Sequence, residues 1–157
     1  MSAVLTKIPD VVKRLELDAP ADRAFVHFTK KIHLWWPLAR FSLGQAEAQS
    51  VVLEPFVNGR IYEILRDGAE RDWGVVRKCA PPRHIAFSWV LERPEPEITY
   101  VDVRFEDAGE GKCVMTLLHT GWNPEHDQSQ ERRNGYDGGW DTVLGEFARS
   151  LHSDTDQ

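Results

Sequence analysis

The feature that most constrains this chain is a change of hydrophobic period partway along it. From about residue 46 to about residue 121, apolar residues recur at every second position, in short segments separated by turn residues. Further on the spacing lengthens, and Tyr136, Trp140, Val143, Leu144, Phe147 and Leu151 fall on one face of a helix. Half-buried strands and an amphipathic helix each have one apolar face to cover. Both are satisfied when the helix lies across one face of an antiparallel sheet, an α+β arrangement.

Local signals order the elements. Val11, Leu15 and Leu17 share a parity against Arg14, Glu16 and Asp18, which predicts a first strand over residues 11–18. Asp18-Ala19-Pro20 opens a helix, since proline suits a first turn whose N–H groups lack partners. Ala21, Ala24, Phe25 and Phe28 form its apolar stripe. A second helical piece takes in Ile32 to Trp36 and stops at Pro37. Val51 to Leu53 end a strand before Pro55, and Asn58-Gly59 reads as a type I′ hairpin turn. Arg60 to Leu65 form the next strand, followed by a turn at Asp67-Gly68. Trp73 to Cys79 form a strand that ends at Pro81-Pro82.

Ile85, Phe87, Trp89 and Leu91 then alternate with polar or small neighbours, as do Val101, Val103 and Phe105. After a turn at Gly109 to Gly111, Cys113, Met115, Leu117 and His119 share one parity. The expectation is a curved antiparallel sheet of about six to seven strands. Two short helices follow its first strand, and a long C-terminal helix packs across it. Gly135, Gly138 and Gly139 each weaken that helix by about 1 kcal/mol relative to alanine, so its regular part is expected to begin near Gly138. Residues 11–152 read as one domain, with tails at 1–10 and 153–157.

Composition excludes several functions. The 157 residues suffice for one core without disulfide or metal staples. A net charge of −6 opposes binding to nucleic acid or to anionic membrane surfaces. Arg132-Arg133 is too short a basic patch to change that and reads as a solvated face. No apolar run approaches the ~20 residues of a membrane span. Met1 to Lys7 lack a basic start followed by an apolar stretch, so no secretory signal is expected. Cys79 and Cys113 are expected to remain thiols in a reducing compartment, by default the cytoplasm. His27, His33, His84, His126 and His152 lack zinc-ligand spacing, so neither metal nor cofactor is expected. Gly-rich phosphate loops and Gly-x-Ser-x-Gly elbows are missing too, so a binding module is favoured over an enzyme.

Six Trp, seven Phe and three Tyr can fill a core, line a pocket, or do both. Trp89 shares parity with Phe87 and should face the helix, from which Trp140, Leu144 and Phe147 face back. Val103, Met115 and Leu117 share the inward parity of neighbouring strands. Trp35 and Trp36 are adjacent in a short helical piece, so at least one of them is expected at a pocket mouth. Trp73 sits near the start of its strand. Tyr62 belongs to a segment that mixes apolar and charged residues on both parities, so its direction is open.

His119 continues the inward parity and is either a ligand contact or general base, or a buried histidine satisfied by protein groups. Glu54 and Glu63, with Arg60 nearby, are either an acid–base pair or cross-strand ion pairing on the outer face.

Several local motifs carry a resemblance. They are Ala19-Pro20-Ala21-Asp22-Arg23-Ala24-Phe25, Trp35-Trp36-Pro37, and Leu53-Glu54-Pro55 followed by Gly59-Arg60. Trp73-Gly74-Val75-Val76, Pro81-Pro82-Arg83, Ile85-Ala86-Phe87-Ser88-Trp89, His119-Thr120-Gly121-Trp122 and Gly139-Trp140 complete them. From Val11 to Leu151 the chain resembles the START-like (SRPBCC, Bet v-like) superfamily. Within it, the chain resembles the AHSA-like homologues of the activator of heat-shock-protein ATPase. Asn58-Gly59 departs from the family's usual Gly-Gly.

The resemblance implies a helix-grip fold with a cavity between sheet and long helix. Relatives include co-chaperones linked to stress responses, carriers of lipids and hormones, and polyketide cyclases. A hydrophobic or aromatic small molecule is therefore the expected partner. A cyclase-like or dehydratase-like activity, a chaperone partner and an oligomer are implied by the resemblance alone.

Overall fold

The computed structural model describes residues 7–154; the remaining parts of the expected tails, 1–6 and 155–157, lie outside the described residues. Seven antiparallel strands form one curled sheet: β1 (Val11–Leu17), β2 (Ala48–Leu53), β3 (Arg60–Leu65), β4 (Glu70–Ala80), β5 (His84–Trp89), β6 (Thr99–Asp107) and β7 (Cys113–Thr120). Their spatial order is β1-β7-β6-β5-β4-β3-β2, so only the first connection crosses the sheet. That crossover carries helix α1 (Ala21–Thr29) and short 3-10 turns at Ile32–Leu34 and Gln45–Glu47. Helix α2 (Ser129–Ser153) closes the concave face.

Strict alternation makes this packing possible. In β7, Cys113, Met115, Leu117 and His119 are buried, while their neighbours are only partly covered. Their partners Val101, Val103 and Phe105 on β6 and Ile85 and Phe87 on β5 are buried as well. Against them α2 sets Trp140, Val143, Leu144, Phe147 and Leu151. The closed end of the core is aromatic. Phe28 lies 5.4 Å from both Phe147 and Trp35, and Phe25 packs edge-on against Phe105 at 6.0 Å.

The segment before β1 is fastened too. Ile8 is buried, and Arg133 donates to the Pro9 and Asp10 carbonyls. Lys13 reaches Asp137 and Asp141 on α2, both at 2.9 Å.

The structure corrects several sequence expectations. Helix α2 begins at Ser129, about nine residues before Gly138, so Gly135, Gly138 and Gly139 all lie within it. The Asn58-Gly59 turn is not type I′, because only Asn58 has a positive φ, 71°. The β2–β3 link runs from Glu54 to Gly59, braced by the Glu54 carboxylate accepting the Arg60 N–H at 2.7 Å. Glycine is needed at 59 because a Cβ there would lie 2.2 Å from the Glu54 carbonyl oxygen. The second helical piece shrinks to Ile32–Leu34. β5 ends at Trp89, so Leu91 lies outside the strand, with φ 50°.

Candidate functional site

Four tryptophans from four parts of the chain converge at one end of the sheet. Trp73 comes from β4, Trp89 from the end of β5, Trp140 from α2 and Trp36 from the crossover loop. The Trp36 ring lies 5.1 Å from Trp73, 6.0 Å from Trp89 and 5.9 Å from Trp140. Trp89 completes the cluster, 5.7 Å from Trp73 and 6.0 Å from Trp140. All four line a cleft of about 460 Å³ bordered by the N-terminal half of α2 and the loops at residues 40–43 and 91–93. That volume lies within the ~300–1,000 Å³ of small-molecule sites.

α2 is small where it lines the cleft, with Phe41 packed so close to Gly139 that a Cβ there would lie 3.3 Å from its ring. Gly135 and Gly139, one turn apart, both line it, and a Cβ at Gly135 would meet nothing within 4 Å. Tyr136, Val143, Phe41 and Leu43 add to the apolar lining. Three guanidinium groups, Arg40, Arg93 and Arg132, complete the lining.

Every indole N–H of the cluster is held by protein. Trp36 donates to the Phe41 carbonyl at 2.6 Å and Trp89 to the Tyr136 hydroxyl at 3.1 Å. Trp73 donates to the Glu63 carboxylate at 2.6 Å and Trp140 to His119 Nδ1 at 3.0 Å. The tryptophans therefore offer a ligand ring faces and edges rather than donors.

His119 and Glu63 stand behind this wall. His119 is fully buried. Indole can only donate, so Nδ1 must be the acceptor and the ring proton sits on Nε2, which donates to Thr99 Oγ1 at 2.7 Å. Burial, reinforced by Arg93, pushes its pKa down to about 3. Both ring nitrogens are thus committed to the protein and the imidazole is neutral.

Glu63 is also fully buried, and it is neither half of an acid–base pair nor part of an outer-face ion pair. Its carboxylate accepts the Leu43 and Gly44 backbone N–H groups at 2.6 and 2.8 Å besides the Trp73 indole. It thereby ties the cleft loop to the sheet. Arg60 pairs instead with Glu70 and Asp72.

The sequence-derived site residues divide accordingly. Trp36, Trp73, Trp89 and Trp140 line the cleft. Trp35 does not: it packs 5.0 Å from Phe147 and donates to the His27 carbonyl at 2.9 Å. Phe87, Val103, Met115, Leu117, Leu144 and Phe147 are buried core residues outside the lining, as is His119. Tyr62 is on the outward parity of β3, under the Arg60 guanidinium at 4.1 Å, because Ile61 and Glu63 take the inward one.

Sequence reasoning missed Arg40, Phe41, Leu43, Leu91 and Arg93, which belong to irregular segments, and misread Arg132 as solvated. The usable signal was Gly135 and Gly139 on the same helical side as Tyr136 and Trp140. Cys79 and Cys113 are free, and burial pushes both thiols up, Cys113 to about 11. No helix among the described residues is long and apolar enough to cross a membrane.

Comparison with known proteins places these observations. Residues 18–152 match the family model described as Activator of Hsp90 ATPase homolog 1-like protein. The self-sacrificing resistance protein CalC from Micromonospora echinospora is 27% identical, with 96% of this chain and 98% of CalC covered and a TM-score of 0.72. The anthrahydroquino-gama-pyrone synthase Txn09, solved as a complex, is 29% identical, with 90% and 96% covered and a TM-score of 0.64. The Aha1 dimer from Colwellia psychrerythraea is 15% identical, with 94% and 98% covered and a TM-score of 0.68. No curated protein matches the chain.

Proposed function

The chain belongs to the Activator of Hsp90 ATPase homolog 1-like family, and on that premise we propose that it holds an aromatic or otherwise hydrophobic small molecule in the cleft between sheet and α2. The observation that carries this reading is a cleft lined by four mutually packed tryptophans together with Gly135 and Gly139 of α2. Flat aromatic surface beside the open space at Gly135 suits a planar ligand.

A second reading, synthesis of a polyketide-type aromatic, is favoured by the 29% identity to Txn09. On that reading the Tyr136 hydroxyl, at the cleft and hydrogen-bonded to Trp89, is the group that would handle a proton. A chaperone partner and an oligomer rest on the family description and on the Aha1 likeness, which at 15% identity extends to the fold.

Native mass spectrometry of protein purified gently from its host tests binding directly. We expect a species heavier than 18.0 kDa that loses the extra mass on denaturation. A bare mass, unchanged after incubation with aromatic and lipid metabolite pools, contradicts the reading.

A further inference from the structure

We propose that the ligand of this cleft is an aromatic anion, a ring system bearing a carboxylate or a comparable acidic oxygen, whose charged end is received by Arg93. This deepens the ligand-binding reading above and rests on it.

The first observation is an unmatched donor. Arg93 Nη1 is buried and reaches no acceptor among the described residues. An arginine cannot shed its proton to escape this, and although the Glu97 carboxylate acts on the guanidinium charge, the Nη1 hydrogen bond stays unmade until an acceptor arrives. The other half-buried guanidinium of the lining is already served, since Arg132 donates to Glu97 and to Gln128 Oε1. Arg40 is exposed and lies over the Phe41 ring.

The second observation is the sign of the site. The chain carries a net charge of −6, yet the lining of this cleft holds three arginines and no carboxylate. Glu97, outside the lining, pairs with Arg132 and lies near Arg93, so the unmatched Arg93 donor rather than the count of arginines is what favours an anion over a cation here.

The third observation is the backbone that delivers Arg93. Leu91 and Glu92 precede it with φ of 50° and 62°, consecutive left-handed conformations that non-glycine residues rarely adopt. The turn is pinned on both sides. The Val90 and Leu91 N–H groups both donate to the Trp73 carbonyl, at 2.7 and 3.1 Å, and Arg71 grips the Glu92 carboxylate with two hydrogen bonds. Strain maintained this way clusters at ligand sites. Here it brings Leu91 and Arg93 into the lining, with the guanidinium carbon 5.8 Å from the Tyr136 ring centroid. The indole donors being used, a guanidinium is the strong donor left for a ligand oxygen, and its fork geometry suits a carboxylate.

The test compares two probes of the same shape, 2-naphthoate and its neutral amide, 2-naphthamide, titrated against tryptophan fluorescence. The wild type is expected to bind the carboxylate at least tenfold more tightly. Arg93→Met should abolish that preference, weakening the carboxylate at least tenfold more than the amide. Arg93→Lys, which retains charge but loses the fork, should keep part of it and guards against a folding defect in the methionine variant. Equal affinity for both probes in the wild type overturns the anion proposal and leaves the aromatic cleft standing. A carboxylate preference that persists in Arg93→Met and disappears in Arg132→Met overturns Arg93 as the group that receives the charged end. Binding of neither probe at millimolar concentration overturns the cleft reading itself.

Discussion

At the scale of single residues, His119 shows how burial decides between roles that the sequence leaves open. Its parity in β7 was legible and its inward direction correct. Its partners were not, because Thr99 and Trp140 are distant in sequence and meet it only when β6 and α2 close over β7. Thr99, Trp122, Tyr136 and Trp140 surround the ring, with Arg93 acting on it from the β5–β6 loop. A folded-state pKa near 3 against an unfolded value near 6.5 means that the unfolded chain binds the extra proton throughout that interval. His119 therefore contributes stability that is complete above about pH 6.5 and is lost as pH falls towards 3, at about 1.4 kcal/mol per pH unit. His27, also depressed by burial, acts in the same direction. Denaturant melts between pH 6.5 and 5, before most carboxylates titrate, should show His119→Gln with a slope shallower by about that amount. Equal slopes would mean that the imidazole is solvated.

At the scale of elements, the glycines separate two uses of a missing side chain. Gly74 in β4 is a close approach: a Cβ there would lie 1.8 Å from the Ser88 carbonyl oxygen. Gly74→Ala must push β4 from β5 beside Trp73 and Trp89, and a loss of about 3 kcal/mol is expected in equilibrium unfolding. Gly135 is the reverse case, with open space where its Cβ would be. Gly135→Ala should stabilise by about 0.5–1 kcal/mol through helix propensity alone. A destabilised Gly135→Ala or a neutral Gly74→Ala would contradict the packing described.

The strands were largely readable because one buried face enforces strict alternation, as in β6 and β7. β3 was not, since both of its parities mix apolar and charged residues. Its direction is settled by a buried carboxylate whose donors come from the loop at Leu43 and Gly44. The start of α2 was misplaced because propensity weighs glycines against a helix, whereas tertiary contacts hold this one.

At the scale of the whole molecule, the sheet and α2 divide their interface in two. The C-terminal half of α2 packs its inner face through Phe147 against Phe28 of α1 and against Trp35, an aromatic core of close ring contacts. The N-terminal half borders the cleft, where Trp36 and Trp89 pack against Trp140 and where Gly135 and Gly139 carry no side chains. The fold class, the element order and the aromatic character of this interface were visible in the sequence. The arginine rim was not, because it depends on a left-handed turn and on loops that no periodicity describes.

The most direct test of the central claim uses the six tryptophans as reporters. In an ¹⁵N-labelled sample titrated with 2-naphthoate, the indole N–H resonances of Trp36, Trp73, Trp89 and Trp140 should show the largest shifts, with Trp35 and Trp122 changing least. Shifts concentrated on Trp35 or Trp122, or no indole shift at saturating probe, would contradict the cleft as the ligand site.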